Sequence, residues 1–439
     1  MGCYQYSITQ TAECGVPYRS SSCEEVAIMN RLQAYFRNYH PIVHSILFGT
    51  MMARVASSMS MPFLALYLSR QLDLSPTLIG ITIGLGMFCE MIGGFIGGTL
   101  SDRFGRKKIM MSALYLWTAV FTCYAFATEL WMFIALTALQ GLCRAFYEPV
   151  GQAMLSDMTT PEQRYRVFSL RYTFNNFGWG VGPLIGAALG MSAGASAFLL
   201  TGAVFLGFAV MMQVLLTRFE VVQAEGERKE VVTFRKALWT VWGDKALLLF
   251  ILGSIMGTLC YSQITTNLAQ HVGFQFEAGV TLYGILLTIN AVLIVLLQMP
   301  LSAWAERRTP LQNIWIGNLL YAFGFLGFAV ADGWTMMIIA MVIFTLGEVL
   351  CFPAGSVLLD RLAPEGMRGA YFGTQNFKYL GTSIGPSLGA IALSGSGAQT
   401  LFVIVAVVAQ IGTLFYWAGQ RQASHLFGTG RKSETPPAV

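Results

Sequence analysis

The stretch Gly97-Gly98-Thr99-Leu100-Ser101-Asp102-Arg103-Phe104-Gly105-Arg106-Lys107-Lys108 separates two long apolar runs, at about residues 77–100 and 108–127. Runs of about 20 apolar residues are long enough to cross a bilayer as helices. Because the connection is so short, the two helices must turn back at the same membrane face. Four basic residues and one acid, Asp102, fall within seven positions of it. Glycines, a single carboxylate and a basic run at this spacing indicate a tight, charged loop between two spans.

The composition of the whole chain places it in a lipid bilayer. Of its 439 residues, 55% are hydrophobic and only 11% are charged, and the mean hydropathy is +0.59. Soluble domains carry about 25% charged residues. Without an alternating strand pattern, helices are the spanning form that satisfies the backbone. Twelve apolar runs are predicted to span, at approximately 45–69, 77–100, 108–127, 131–156, 166–190, 195–217, 246–270, 279–300, 311–331, 334–359, 370–393 and 398–420.

The basic residues predict which membrane face is cytoplasmic. Of the 27 lysines and arginines, 22 lie in the tails and the even-numbered connections, four lie inside spans, and only Arg70 lies in an opposite-side loop. Basic residues accumulate on the cytoplasmic side of a membrane. We therefore expect a multi-pass protein of the inner or plasma membrane with both termini in the cytoplasm. The net charge of +5 concerns this orientation and does not indicate nucleic-acid binding.

The second half of the chain repeats the first. Asp102 aligns with Glu306 at an offset of 204 residues and, after one dropped residue, Asp157 aligns with Asp360. A six-span repeat predicts two pseudo-symmetric bundles related by an axis along the membrane normal. The predicted parts are a cytoplasmic N-terminal tail (1–44), an N-terminal six-helix bundle (45–217), a cytoplasmic central loop (218–245), a C-terminal six-helix bundle (246–420) and a cytoplasmic tail (421–439).

The pattern G-x-x-x-D-R-x-G-R-K, which begins at Gly98, resembles the loop 2–3 signature of the major facilitator superfamily of secondary transporters. The resemblance covers nearly the whole chain beyond the N-terminal tail. It implies an all-α membrane protein with twelve transmembrane helices and alternating access to a small-molecule substrate. It also implies a charged lock on the cytoplasmic face in the outward-facing state. In this chain the cytoplasmic gate is predicted at Asp102, Arg103, Arg106, Asp157, Glu306 and Asp360.

This gate has a physical basis. Asp102 is expected against a helix N-terminus, where an anion is favoured by roughly 0.3–1 kcal/mol, and Arg106 is expected to pair with Asp157. Glu306 and Asp360 are the second-half equivalents, where a shorter basic run predicts a weaker lock. The alternative for part of the basic run is that it only enforces topology.

Charged residues inside the predicted spans are the main functional clue, because each costs at least about 2.5–3.5 kcal/mol at the bilayer centre. Seven are present: Arg54, Glu90, Arg144, Glu148, Arg171, Glu348 and Lys378. In the family resembled, spans 1, 4, 7 and 10 line the central cavity, which implies that the charges on spans 1, 4 and 10 point toward the substrate path. The alternative is that Arg144 and Glu148, four residues apart, form a neutralised pair that only fixes span 4. Arg171 and Lys378 are expected to reach toward the cytoplasmic face.

One intramembrane carboxylate is expected to couple transport to protons. Desolvation favours the protonated form of a buried carboxylate, and a nearby arginine favours the ionised form. A carboxylate held between these effects can release its proton when substrate enters. We predict Glu148 as the first candidate, with Glu90 and Glu348 behind it and Arg144 or Arg54 as the tuning charge.

Span 5 carries the pattern G-x-x-x-G-P-x-x-G at Gly178, Gly182, Pro183 and Gly186. The pattern is similar to the motif of the drug:proton antiporters, although Ala187 stands where that motif has a further glycine. The glycines are expected to let spans 5 and 8 pack closely, and the proline to permit a kink. Span 11 carries the same pattern, so repeat geometry alone is the alternative explanation.

The sequence shows no nucleotide-binding loop, nucleophile–base arrangement or metal-ligand spacing. It therefore predicts a transporter and not an enzyme, with no cofactor and no metal. We predict proton-coupled efflux of small lipophilic or drug-like molecules by a monomer, the branch that the span 5 motif implies. The first alternative is a facilitator-type carrier for a polar metabolite, and the second is a sensor that binds without transporting.

Overall fold

The computed structural model describes residues 39–71, 76–188, 195–218 and 234–423, and that part of the chain is helical almost throughout. The helices of its first half are α1 Pro41–Gln71, α2 Pro76–Phe104, α3 Arg106–Tyr124, α4 Leu130–Asp157, α5 Pro161–Ala188 and α6 Ala195–Arg218. Those of its second half are α7 Phe234–Gly243, α8 Lys245–Thr265, α9 Asn267–Gln275, α10 Gly279–Ala305, α11 Pro310–Val330, α12 Trp334–Leu362, α13 Arg368–Thr374 and α14 Tyr379–Gln422. A single 3₁₀ turn, Gln375–Lys378, joins α13 to α14.

Within the described residues, each of the twelve predicted spans lies mostly in helix. Spans 1–6 are α1–α6, span 7 is α8 with α9, and spans 8–10 are α10–α12. Span 11 runs from α13 into α14, and span 12 is the part of α14 beyond Gly397, where the backbone breaks the helical path with φ 81°. Within the described ranges, nine helical segments are long and apolar enough to cross a membrane, and one of these, Arg368–Gln422, holds two predicted spans.

The two predicted spans outside that set are α3 and α5, and both are more polar. The first turn of α3 is the basic run Arg106-Lys107-Lys108, and α5 carries three arginines along its length. The polarity of α5 is the first sign that it faces other parts of the protein more than lipid.

The predicted tails and central loop lie largely outside the described residues, which leave out 1–38, 219–233 and 424–439. Two differences concern the predicted N-terminal tail and the central loop. The first helix begins at Pro41, four residues earlier than expected, and the central loop contains a ten-residue helix, α7. The apolar spacing of α7 is that of an amphipathic helix, which a search for long apolar runs does not detect.

Local chemistry explains where the spans turn. Gly105 separates α2 from α3 with φ 98° and ψ 141°, a backbone conformation that is open to glycine and costly for other residues. The glycine of the loop signature is therefore required by the turn itself. At the equivalent loop of the second half, Thr309 and Gln312 form a capping box that starts α11. Asp244 starts α8 by accepting a hydrogen bond from the Leu247 backbone N–H at 3.1 Å.

The two halves have the same internal packing. In the first, α1 packs against α5 and α6, α2 against α4, and α3 against both α4 and α6. In the second, α8 packs against α14, α10 against α12, and α11 against both α12 and α14. The helices in equivalent positions of the sequence repeat therefore have equivalent neighbours.

Overlapping glycine pairs on α2 serve two different neighbours. Gly93 and Gly97 lie against α4, while Gly94 and Gly98 lie against α13 of the other half. A Cβ atom on Gly94 would lie 2.6 Å from the Gly373 carbonyl oxygen, closer than real Cβ contacts come. Close approach of backbones through small residues is a common way of joining membrane helices. Here α2 uses one glycine pair to pack within its own half and the other pair to contact the start of span 11.

The glycine motif of α5 has a different partner from the one predicted. A Cβ atom on Gly178 would lie 2.8 Å from the Arg54 Cβ, and one on Gly182 would lie 2.7 Å from the Val55 carbonyl oxygen. These glycines therefore pack α5 onto span 1, not onto span 8 as expected. The helix continues through Pro183 to Ala188. The glycines of span 11 pack in the same way onto span 7, so the pattern recurs because the packing recurs.

Candidate functional site

A charged network joins the two halves at the membrane face that carries the loop between α2 and α3, which we call the basic face. Asp102 lies at its centre. Its two carboxylate oxygens accept hydrogen bonds from the backbone N–H groups of Gly369 (2.9 Å) and Ala370 (2.8 Å), at the start of span 11. Arg106 contacts the same carboxylate at 2.5 Å. The loop acid of the first half thus binds the helix N-terminus that begins α13, where backbone N–H groups lack helical partners.

Two further aspartates link the ends of spans 4 and 10 to the opposite half. Asp157 accepts from Arg106 at 3.1 Å and from Arg368 at 2.8 Å. Asp360 pairs with Arg164 at 2.6 Å and with Arg368 at 3.3 Å, and it also accepts a hydrogen bond from the Ser156 hydroxyl. Arg368 is therefore shared between the equivalent aspartates of the two repeats.

Glu306, the repeat equivalent of Asp102, also reaches across to the other half. Its carboxylate accepts two hydrogen bonds from Arg166 on α5, at 2.9 and 2.7 Å, a bidentate arrangement that fixes orientation. Arg103 behaves differently from the other predicted gate residues. Its guanidinium lies 5.0 Å from the Phe104 ring centroid and does not take part in the ion pairs found in the described part of this network.

A second cluster lies deeper, among α1, α4 and α5, around Glu148. This carboxylate contacts Arg54 at 2.5 Å, Arg144 at 3.1 Å and Arg171 at 3.8 Å. Arg54 also donates a hydrogen bond to the Asn175 side-chain oxygen at 2.7 Å. Glu148 is thus shared among guanidinium groups from three different spans. The i, i+4 spacing suggests that it pairs with Arg144 alone, which is not the case.

Glu90 and Lys378 extend this cluster toward the second half. Glu90 pairs with Arg144 at 3.1 Å and lies close to the Tyr379 side chain. Lys378 is close enough to interact electrostatically with both carboxylates. Arg171 and Lys378, expected near the cytoplasmic face, therefore belong to the interior.

The charges in this cluster do not balance. Two carboxylates, Glu90 and Glu148, face four cations, Arg54, Arg144, Arg171 and Lys378. With all six groups ionised, the surplus is two positive charges. Because charge is expensive at this depth, such a surplus indicates a requirement beyond helix packing.

Glu348 on α12 has entirely different surroundings. Its side chain is fully buried, and its two oxygens accept hydrogen bonds from the Tyr172 hydroxyl (2.5 Å) and the Asn290 side-chain amide (2.7 Å). Tyr172 belongs to α5 of the first half and stacks on Phe352 with ring centroids 4.9 Å apart. No lysine or arginine in the described ranges lies within ion-pair distance of this carboxylate. Arg144 and Glu348 occupy equivalent repeat positions, yet the structure places them in separate clusters.

Several residues of these clusters were not predicted. They are the basic-face arginines 164, 166 and 368, and the Glu348 partners Tyr172 and Asn290. For the arginines a signal did exist, because both repeats carry basic residues just after the Pro-Glu pair that follows span 4 or span 10. Tyr172 and Asn290 had no such signal, since single polar residues in spans are common.

Comparison with known proteins identifies the family. The protein-family model described as Major Facilitator Superfamily matches residues 46–379 and 276–438 of this chain. The chain is 32% identical over 381 residues to "Uncharacterized MFS-type transporter YqjV" of Bacillus subtilis (strain 168), an alignment that covers 86% of this chain and 93% of that protein.

Two further relatives carry more specific names. "Na(+), Li(+), K(+)/H(+) antiporter" of Planococcus maritimus is 26% identical over 390 residues, covering 82% of this chain and 91% of its own. "Multidrug resistance protein MdtH" of Yersinia enterocolitica is 26% identical over 330 residues, covering 75% and 80%.

Solved structures agree on the fold. The outward-facing structure of a bacterial homologue of the iron transporter ferroportin matches with a TM-score of 0.71 at 16% identity, covering 87% of this chain and 100% of that one. The predicted twelve-helix, two-bundle architecture is thereby confirmed, as is the prediction of a transporter. The chain belongs to the major facilitator superfamily, whose members are membrane transporters and not enzymes.

Proposed function

We propose that this protein exports small organic molecules by alternating access, driven by proton entry, as a monomer of the plasma membrane with both termini in the cytoplasm. The names of its relatives, a cation/proton antiporter and a multidrug resistance protein, support antiport and efflux as the first hypothesis. The span 5 glycine–proline motif supports the same branch. In this proposal the basic face is the cytoplasmic face, since basic residues accumulate there.

The observation that carries proton coupling is the environment of Glu348. A buried carboxylate that lacks a cationic partner is costly to keep ionised, and protonation removes that cost. Glu348 lies 14 residues from the end of α12 at Leu362, which corresponds to about 21 Å from the basic face. It is therefore deep in the membrane, where a proton carrier has to act.

The partners of Glu348 connect its protonation to the movement of the two halves. Ionised Glu348 accepts from Tyr172 of the first half and from Asn290 of its own half. Once protonated, it can instead donate to the tyrosine oxygen, because a phenol hydroxyl both donates and accepts. Tyr261, Tyr321 and Cys351 are the other titratable side chains close to it. A change of charge at Glu348 thus alters a contact that spans the interface.

Glu148, the first candidate from sequence, has a different role in this proposal. Three guanidinium groups surround it, and each favours its ionised form. A group that stays ionised cannot carry a proton across. Glu148 instead holds spans 1, 4 and 5 together and sets the position of the arginines.

The closed basic face indicates which side of the membrane the described state opens to. The ion pairs of Asp102, Asp157, Glu306 and Asp360 seal the two halves on the side that we assign to the cytoplasm. The state described would then be outward-facing, the state of the ferroportin homologue that it resembles. Proton entry from outside to Glu348 would precede opening to the cytoplasm.

The test is export of fluorescent dyes from a bacterial host that lacks its own efflux pumps. Ethidium, a cation, and carboxyfluorescein, an anion, are loaded, and their retention is followed before and after a protonophore collapses the proton gradient. We expect the protein to lower retention of at least one dye, and the protonophore to raise it again. Glu348→Gln keeps the size of the side chain and cannot titrate, so it should abolish the gradient-dependent part while leaving downhill dye exchange in proteoliposomes.

Glu148→Gln is the comparison, because it also removes one carboxylate from inside the helical bundle. It should impair dye exchange itself rather than the response to the gradient. Gradient-driven export that survives Glu348→Gln and disappears only in Glu148→Gln would return the coupling role to Glu148.

A carrier for a polar metabolite is the second candidate, and the fixed charges around Glu148 favour it. Such a carrier would leave both dyes untouched and change the exchange of polar solutes between cells and medium. An untargeted comparison of those solutes in expressing and control cells distinguishes the two functions.

A further inference from the structure

The loop between α10 and α11 carries an open groove at the basic face. Its lining consists of two tryptophans, two arginines, a glutamine and an isoleucine: Trp304, Arg307, Arg308, Gln312, Trp315 and Ile316. The groove has a volume of about 580 Å³ and opens to the surface of the protein. A ligand can therefore enter it without displacing a helix. The ion pairs of the basic face described above use none of these six residues.

The arrangement of the helices continues the groove along the lipid-facing surface. α10 and α11 both pack against α12 and make few contacts with each other. Farther from the loop, several exposed side chains are large and apolar, namely Val292 and Leu296 on α10 and Phe323 and Leu326 on α11. Because both helices run from the loop into the membrane, these side chains form an apolar surface that begins at the groove. The groove therefore has a charged end and an apolar continuation.

The two arginines of the groove have no acidic partner among the described residues. Arg308 lies over the Trp304 ring, with its guanidinium carbon 3.5 Å from the ring centroid, and it donates to the Trp304 carbonyl oxygen at 3.2 Å. Arg307 is exposed. The adjacent acid, Glu306, is already held by two nitrogens of Arg166. The lining of the groove thus carries two positive charges and no negative one.

The hydrogen-bonding groups of the groove are mainly donors. Guanidinium and indole groups can donate but not accept. The Gln312 side-chain oxygen accepts from the Thr309 backbone N–H at 3.0 Å, which leaves the amide nitrogen of Gln312 to donate to a ligand. Stacking on Trp304 holds Arg308 in place, so little side-chain freedom is lost when it binds. A ligand that suits the groove has acceptor oxygens and a negative charge, and a phosphate has both.

The sequence repeat does not account for this set of residues. At an offset of 204 residues, both tryptophans correspond to apolar residues without a ring, Arg308 corresponds to Phe104, and Arg307 corresponds to Arg103. In the first half α2 and α3 also pack against each other, whereas α10 and α11 scarcely do. The aromatic walls and the second cation are therefore particular to the second half. Arg103 is a cation at the same face without these walls.

We propose that this groove binds the phosphate of an anionic phospholipid. Arg307 and Arg308 would balance its charge and donate to its oxygens. Trp304 and Trp315 would lie at the level of the glycerol backbone, where aromatic side chains collect in membranes. The acyl chains would follow the apolar surface of α10 and α11. Basic pockets on membrane helices bind headgroups of this charge. The site is separate from the carboxylate clusters of the interior, and it does not depend on what the protein exports.

The test is retention of lipid by the purified protein, counted by native mass spectrometry. The protein in a non-ionic detergent is mixed with equal amounts of dioleoyl phosphatidylglycerol, an anion, and dioleoyl phosphatidylcholine, which has the same chains and no net charge. We expect the protein to retain at least one phosphatidylglycerol in preference to phosphatidylcholine. Arg307→Gln and Arg308→Gln should each weaken that preference about tenfold or more, the effect of one hydrogen bond to a charged group.

Arg103→Gln is the matched control variant, because Arg103 is also exposed and occupies the repeat position of Arg307. It removes the same charge from the same face and should leave the preference for phosphatidylglycerol unchanged. Since Arg307 is exposed, Arg307→Gln should keep the Tm of the lipid-free protein, which excludes misfolding as the cause of lost binding.

Two results would overturn the proposal. If the unaltered protein shows no preference, or if Arg307→Gln and Arg308→Gln keep it in full, the arginines serve only to orient the chain in the membrane. If Arg103→Gln loses the preference to the same extent, the lipid responds to the charge of the whole face and not to the groove.

Glycerol 1-phosphate distinguishes a lipid from a free anion, because it carries a phosphate on glycerol and no acyl chains. At a concentration equal to that of the lipid, we expect it to leave the bound phosphatidylglycerol in place. Full displacement would overturn the assignment to lipid, since the groove would then be a site for a free phosphate. These measurements use neither a gradient nor a transported substrate, so a failure of proton-driven export would leave them unchanged.

Discussion

Replacing Asp102 with asparagine tests whether the basic face is held closed as the structure indicates. Asp102 offers one oxygen to the Gly369 N–H, the other to the Ala370 N–H, and its charge to Arg106. Asparagine keeps a single acceptor oxygen and places an amide donor where the second oxygen was. One backbone N–H of span 11 then faces another donor, and the negative charge at this helix start is lost.

The expected size of the effect follows from these contacts. A hydrogen bond to a charged group contributes about 1.5–3 kcal/mol, and an anion at a helix N-terminus adds about 0.3–1 kcal/mol. Because Asp102 makes these contacts only when the basic face is closed, Asp102→Asn should destabilise the closed state by about 2–4 kcal/mol. At 1.4 kcal/mol per factor of ten, the closed-to-open ratio should fall by about thirtyfold to several hundredfold.

Alkylation of a buried reporter cysteine measures this ratio. Val357 lies on α12, five residues from its end at the basic face, and is 3% exposed. In a background without the native cysteines, Val357→Cys should react slowly with a membrane-impermeant maleimide, and Asp102→Asn should raise its rate by the factor above. Arg103→Ala is the matched control, since Arg103 is the next residue and lies outside the network. A rate in Asp102→Asn that equals the rate in Arg103→Ala would refute the reasoning.

Two further substitutions test the packing and the interior charges. Gly98→Ala introduces a methyl group against the Gly369 carbonyl and should also raise the alkylation rate of Val357→Cys. Gly80→Ala on the same helix, where nothing lies within 4 Å, should leave that rate unchanged. Equal rates in the two variants would mean that α2 and α13 separate without cost. Glu148→Gln leaves three guanidinium groups without their shared carboxylate and should lower Tm, because uncompensated positive charge then remains inside the bundle. An unchanged Tm would mean that water already screens this cluster.

The fold was predictable because the features that determine it, the length of each apolar run and the repeat, can be read along the sequence. Apolar length decides where a chain crosses a bilayer, and the repeat at an offset of 204 residues decides that the crossings form two equivalent sets. The loop signature also gave two contacts correctly. Asp102 does bind a helix N-terminus, and Arg106 does pair with Asp157. Both predictions concern residues at helix ends beside short loops, where few partners are within reach.

The contacts that residues inside the bundles make were harder to predict from the sequence. The sequence offered Arg144 as the partner of Glu148, because only four residues separate them, but Arg54 and Arg171 come from spans that are remote in sequence. The arginine count of a span does not tell which way each arginine points. The same limit explains the span 5 glycines, which the sequence assigned to span 8. Their spacing predicts a close neighbour and does not predict which one.

The repeat itself shows how the two halves came to differ. At the 204-residue offset, Trp117 corresponds to Tyr321, Arg144 to Glu348, Tyr147 to Cys351 and Glu148 to Phe352. The same positions therefore hold an arginine–glutamate cluster in the first half and, in the second, a carboxyl group whose hydrogen-bond partners are a tyrosine and an asparagine. The two halves therefore share a backbone arrangement but differ in side chains. The first half has charges fixed by ion pairs, and the second has Glu348, a group that can lose its charge.

This difference matters for antiport, because substrate and proton must not demand the same group in the same state. The cluster around Glu148 keeps its charge through three arginines, whereas Glu348 has neutral hydrogen-bond partners and can respond to protons without losing an ion pair. Tyr172 links the two, since it belongs to α5 of the first half and donates to Glu348 of the second. In the proposed mechanism, substrate therefore acts on one side of this contact and the proton on the other. Tyr172→Phe should keep dye exchange but separate export from the proton gradient, and tight coupling in that variant would mean that the halves communicate through the basic face alone.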